Sequence, residues 1–153
     1  MSLISDLLPL SNIVIDLETS GKKRLFEEAS ELFAQHQQLD ESLIFDSLFA
    51  RERLGSTGLG QGVAIPHGRI KGLELAAGAF IRLATPIQFS APDGRPVSIV
   101  FVLLVPEQAN ETHLQLLSTL AQMFNSADFR DALLNAPDAQ SIHALFADWE
   151  DDA

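Results

Sequence analysis

The chain has 153 residues, 46% hydrophobic and 20% charged, the balance of a single globular domain and not of a disordered or fibrous protein. Its 21 Asp and Glu against 10 Lys and Arg leave a formal charge of −11, a field that repels nucleic-acid phosphates and anionic lipid surfaces. With no cysteine, disulfides, thiolate nucleophiles and sulfur-ligated zinc are excluded, so any chemistry rests on other groups.

Ser2 to Leu8 suits a short helical turn ended by Pro9, and the β-branched run Ile13-Val14-Ile15 suits a strand. The opening Met-Ser-Leu-Ile-Ser-Asp has no basic n-region and does not resemble a secretory signal, giving the expectation of a cytoplasmic protein. From Lys22 to Gln38, Leu25, Phe26, Ala29, Leu32 and Phe33 recur at helical spacing. Asp40 then caps a second helix carrying Leu43, Ile44, Leu48 and Phe49. Beyond Arg53 the periodicity stops: Gly55, Gly58, Gly60 and Gly62 precede Pro66, as in a structured loop or the entry to a strand.

Ala76 to Leu83 and Val97 to Val105 read as the strands of a hairpin, with the turn signal Asp93-Gly94 between Pro86 and Pro96. The second strand is almost uniformly apolar, so it belongs near the middle of a sheet with helices on both faces. It is far shorter than the ~20 residues a helix needs to cross a bilayer, and no stable membrane insertion is expected. Pro106 ends it, and Asn110 can cap a helix bearing Leu114, Leu117, Leu120, Ala121 and Phe124. A shorter helix follows around Phe129 to Leu134. A last one starts near Asp138, with Ile142, Leu145, Phe146 and Trp149 on one side. The pattern is that of an α/β fold, a small mixed sheet between helices, forming one domain over residues 1–147 with an acidic tail at 148–153.

The four histidines, His36, His67, His113 and His143, match no metal-binding spacing, and no cofactor or metal site is expected. His36 lies near a helix C-terminus beside Leu32 and Phe33, where it complements the helix dipole. His143 sits in the last helix with no partner group nearby in sequence. His67 differs, because Pro66 fixes the backbone before it and Gly68 after it lets a second backbone or a bulky phosphate come close. Two readings of it stay open at this point, a reactive histidine and one that merely caps a tight turn.

The glycines do not make a nucleotide site. Gly58, Gly60 and Gly62 are too closely spaced for Gly-x-Gly-x-x-Gly, and no Gly-Lys-Ser or Gly-Lys-Thr is present. A phosphate relay suits His67 better: a neutral imidazole can attack phosphorus, while a glycine loop, an Arg and a helix N-terminus steady the transferred charge. His113, in the first turn of the helix capped by Asn110, is placed to contribute.

The run Leu54-Gly55-Ser56-Thr57-Gly58-Leu59-Gly60-Gln61-Gly62-Val63-Ala64-Ile65-Pro66-His67-Gly68-Arg69 resembles the phosphorylation-site motif of the mannitol/fructose-type IIA proteins of the bacterial phosphotransferase system, above all their nitrogen-regulatory branch. The likeness extends from the early strand through Val97 to Pro106 and on to Glu111-Thr112-His113. It implies a mixed sheet of about five strands flanked by helices. It also implies that His67 accepts the phosphoryl group, that His113 lies beside it, and that Arg51 helps neutralise the phosphate. The donor it implies is a histidine-containing phosphocarrier protein, and the protein would be a phosphocarrier more than a turnover catalyst.

Sugar-transporting relatives are commonly fused to other domains, whereas this chain ends at a helix and an acidic stretch. The expectation is therefore a regulator whose phosphorylation state controls partner proteins linked to nitrogen or potassium. The alternatives are a IIA component passing phosphate to a IIB domain in sugar transport, and a non-phosphorylated binding module of the same fold.

Overall fold

The computed structural model describes residues 3–108 and 110–149. The apolar run near residue 100 forms β6 (Val97–Pro106), and the rest of the fold is arranged about it. In chain order the other elements are α1 (Leu3–Asp6), a 3-10 turn (Leu10–Asn12), β1 (Ile13–Leu17), α2 (Lys22–Gln37) and α3 (Glu41–Leu54). Next come β2 (Gly58–Gly60), β3 (Val63–Ala64), β4 (His67–Ile70) and β5 (Ala77–Ile87), with α4 (Glu111–Phe124), α5 (Ala127–Asn135) and α6 (Ala139–Ala147) after β6.

The strands form one mixed sheet of order β1-β5-β6-β3-β2, with β4 also paired to β6. β5 and β6 make the expected antiparallel hairpin, and β1 runs parallel to β5. The sheet has six strands where about five were expected, because the glycine-rich segment folds into β2, β3 and β4. β3 pairs in parallel with Ile99 and Val100, and β4 with Leu103 to Pro106, so the two lie end to end along the same side of β6.

Alternation along β6 separates two cores. Ile99, Phe101 and Leu103 pack with residues of α4, α5 and α6, including Leu120, Phe129 and Phe146. Val100, Val102 and Leu104 face the other way, onto Phe26 and Phe33 of α2 and Ile44 and Leu48 of α3. Burial on both faces is why this strand carries no polar alternation.

The helix starts obey local chemistry. Asp40, Asn110 and Asp138 each accept a hydrogen bond from the backbone N–H three residues on, at 3.2, 3.3 and 2.8 Å. Such caps contribute about 1 kcal/mol each. Arg82 of β5 is buried and donates to the carbonyls of Leu133 and Ala136 at 2.9 and 2.8 Å, tying the end of α5 to the sheet.

Ser2 of the expected first helix, and residues 150–153 of the expected acidic tail, lie outside the described residues. Trp149, just before them, packs edge-on to Phe129 with ring centroids 5.2 Å apart. Among the described residues no helix is long and apolar enough to cross a membrane.

Where α3 meets β4 the contact is closest at Gly68. A Cβ there would collide with the Ser47 hydroxyl, and it would come within 3.3 Å of the Ser47 backbone carbonyl carbon. Ser47 meanwhile donates its hydroxyl to the carbonyl of Arg69 at 2.9 Å. Of the two reasons for a glycine here, the approach of a second backbone is realised by α3 itself. Gly68→Ala is expected to push α3 off the strand and cost about 1–3 kcal/mol in urea unfolding; a variant as stable as the parent would show that the contact relaxes freely.

Candidate functional site

Pro66 interrupts what would otherwise be one long strand along β6. It has no N–H, yet its carbonyl still accepts from Leu103 N–H at 2.9 Å, so the chain stays on the sheet while leaving strand geometry for two residues. At this break the Ile65 N–H donates to the Thr57 carbonyl at 3.0 Å, and the Ile65 carbonyl turns toward the His67 ring.

His67 Nδ1 lies 2.8 Å from the Ile65 carbonyl oxygen. A carbonyl only accepts, so Nδ1 carries the hydrogen, and in the neutral ring Nε2 keeps its lone pair. The spacing of the sequence left open which nitrogen reacts; this hydrogen bond leaves Nε2 available, with no protein hydrogen-bond partner among the described residues.

Half-buried His67 opens onto two cavities. The larger, about 380 Å³, is lined on its polar side by Ser47, Arg51, Arg69 and His113, and on its apolar side by Leu54 and Leu114 among others. A smaller one, about 200 Å³, lies toward Ser56, Thr57 and Gly58, again with Arg51 on its wall. The structure thus brings the three predicted residues His67, His113 and Arg51 to one place. His36 and His143 are elsewhere: His36 Nδ1 bonds Asn12 Oδ1 at 3.2 Å, and His143 Nε2 meets the Ser5 carbonyl at 3.2 Å, a partner the sequence did not reveal.

Arg51, in the last turn of α3, donates Nη1–H to the Gly55 carbonyl at 2.9 Å, which holds the guanidinium beside the cavity with further N–H groups to offer. His113 is set by a reciprocal cap. Its Nδ1 accepts from Asn110 N–H at 3.2 Å, and its own N–H donates to Asn110 Oδ1 at 3.3 Å. The expected Asn110 cap uses the His113 amide, so what this residue offers the cavity is its ring, whose Nε2 carries the hydrogen in the neutral form.

The first cause acting on His67 is burial, which disfavours the imidazolium and lowers its pKa below 6.5. The Ile65 hydrogen bond works in the opposite sense, Arg51 lowers it further, and Glu52 raises it. Two residues of this neighbourhood were not singled out from the sequence, Glu52 and Thr57. The only hint of Glu52 was an acid between two arginines in Arg51-Glu52-Arg53; the Ile65 carbonyl is backbone and gives no sequence signal. Among the described residues, no three His, Cys, Asp or Glu side chains gather in a way that could hold a metal ion.

A family model described as "Phosphoenolpyruvate-dependent sugar phosphotransferase system, EIIA 2" matches residues 6–149. A nitrogen regulatory protein of Pseudomonas aeruginosa is 41% identical over 146 residues, covering 95% of both chains. One of Escherichia coli K12 is 39% identical over 131 residues, 85% of this chain and 80% of the relative. The crystal structure of nitrogen regulatory protein IIA-Ntr from Neisseria meningitidis superposes with a TM-score of 0.90 at 53% identity, covering 95% of this chain and 99% of that one.

Because the net shift is downward, the neutral ring persists to lower pH than in an ordinary histidine. A side-chain NMR titration should place the His67 midpoint below 6.5. A midpoint at or above that value would mean that burial does not dominate at this ring.

Proposed function

The chain belongs to the EIIA type-2 family of the phosphoenolpyruvate-dependent sugar phosphotransferase system, in its nitrogen-regulatory branch, and on that premise we propose that it accepts a phosphoryl group on His67 and regulates partner proteins through it. The observation that carries this reading is the His67 ring itself, with Nδ1–H engaged by the Ile65 carbonyl and Nε2 free at a cavity that also holds Arg51 and His113.

The proposed donor is a phosphohistidine on a small phosphocarrier protein. The His67 Nε2 lone pair attacks phosphorus, a P–N bond forms, and the donor's P–N bond breaks with its electron pair returning to the donor imidazole. No proton needs to move at His67. The ring becomes positive as Nε2 bonds phosphorus, and the Ile65 carbonyl stabilises that charge through Nδ1–H. Arg51 balances the oxygens of the phosphoryl group, and the Nε2–H of neutral His113 is a donor to them.

A protein partner, as opposed to a small substrate alone, is supported by the rim. Leu54, Leu59 and Leu114 are 85%, 44% and 59% exposed, and each lines one of the two cavities at His67. Leucines this exposed around a reactive group suit burial against another protein. The phosphoryl group brings about two negative charges into their midst, offset in part by the positive ring, so a partner that docks on the apolar rim distinguishes the two states.

His67→Ala should abolish acid-labile, base-stable phosphate incorporation from phosphoenolpyruvate through the upstream phosphotransferase proteins; stoichiometric labelling of that variant would remove His67 as the acceptor. Arg51→Ala and His113→Ala should still label, but roughly 10²-fold more slowly, by the usual loss when one charge-stabilising donor is deleted. An unchanged rate in either variant takes that residue out of the site. Transfer onward to a IIB domain would instead favour a role in sugar transport.

A further inference from the structure

Behind His67 the polar groups form one continuous chain. Lys22, in the first turn of α2, places Nζ 2.8 Å from Glu52 Oε2 and 4.4 Å over the Phe89 ring. Glu52, buried on α3, accepts the Thr57 N–H at 3.1 Å and the Thr57 hydroxyl at 2.5 Å. The Thr57 carbonyl accepts the Ile65 N–H at 3.0 Å, and the Ile65 carbonyl accepts His67 Nδ1–H at 2.8 Å.

Burying a carboxylate is costly, and an apolar or neutral anchor is often at least as stabilising for the fold. Glu52 spends nearly all its acceptor capacity on Thr57 and Lys22, and it does so one turn before the segment that walls the smaller cavity at His67. We propose that Glu52 is a positioning residue for the His67 ring: through Thr57 and Ile65 it holds the carbonyl that fixes the ring's tautomer, and Lys22 holds Glu52 in place. This inference rests on His67 as the phosphoryl acceptor.

The charge on Glu52 also reaches the ring directly, favouring its protonated form and opposing the effect of Arg51. The other charged or titratable groups at the ring are Arg69 on its own strand and His113 on α4. Removing the Glu52 charge leaves Arg51 unopposed from α3, so the titration of His67 should move further down.

The test uses the full chain, unphosphorylated and labelled with ¹⁵N, and compares the parent with Glu52→Gln, Thr57→Val and Thr57→Ser. In the parent and Thr57→Ser, neutral His67 should be held as the Nδ1–H tautomer. In Glu52→Gln and Thr57→Val the two tautomers should mix, and phosphoryl transfer should slow by roughly tenfold. Glu52→Gln should in addition lower the His67 midpoint relative to the parent.

Variants that melt earlier but keep the parental tautomer and titration would overturn the proposal and leave Glu52 as a fold anchor. Should Glu52→Gln fail to fold, Thr57→Val decides by the same tautomer signal, since it deletes only the hydroxyl donor. The ring measurement needs no phosphate. A parent with the locked tautomer that takes up no label therefore defeats the acceptor assignment without touching the hold of Glu52 on the ring.

Discussion

The hydrogen bond from His67 Nδ1–H to the Ile65 carbonyl is the constraint on which the site depends. It decides which nitrogen keeps a lone pair, fixes the plane of the ring, and offers a place for positive charge when Nε2 bonds an electrophile. That bond exists because Pro66 interrupts the strand. Pro66 offers no N–H to the ladder, so β3 and β4 stay separate along β6, while the Ile65 carbonyl, on the side away from the Pro66–Leu103 hydrogen bond, meets the His67 ring. The sheet therefore makes the site by stopping for two residues and resuming at His67.

Two opposing demands meet at this ring. A nucleophile for phosphorus must be neutral, which burial and Arg51 favour, while a ring phosphorylated as proposed would carry positive charge, which the Ile65 carbonyl and Glu52 favour. The groups of each kind come from different elements. Arg51 and Glu52 are adjacent on α3 but face different surroundings: one reaches the cavity and the other turns inward to Thr57 and Lys22. The overall charge of −11 thus says little about the local field, in which arginines line the cavity within an acidic protein.

Most of the fold was legible from residue pattern. The 3.6-residue spacing in α2 and α3, the caps at Asp40 and Asn110, the helix start near Asp138 and the almost uniformly apolar run of β6 each state a local preference that packing then satisfies. The glycine-rich segment was harder to read. Of its three short strands, β3 and β4 are set by pairing with β6 across more than 30 residues of chain, and β2 by pairing with β3, and not by propensity. At the site, His67 stood out through Pro66 and Gly68, His113 through its place in the first turn of a capped helix, and Arg51 through the family likeness alone. The Ile65 carbonyl and the Glu52–Thr57 contact were hidden, one being main chain and the other a buried acid set between two arginines at the end of α3. His143 shows the same limit, since its partner is a carbonyl 138 residues away.

The central claim, phosphoryl transfer to Nε2 of His67, is tested most directly by ³¹P and ¹⁵N NMR of the phosphorylated, isotope-labelled chain. The account predicts one phosphorus signal coupled to the Nε2 of His67, with Nδ1 of the same ring still protonated. Phosphorus coupled to Nδ1, or to any other histidine, would contradict it.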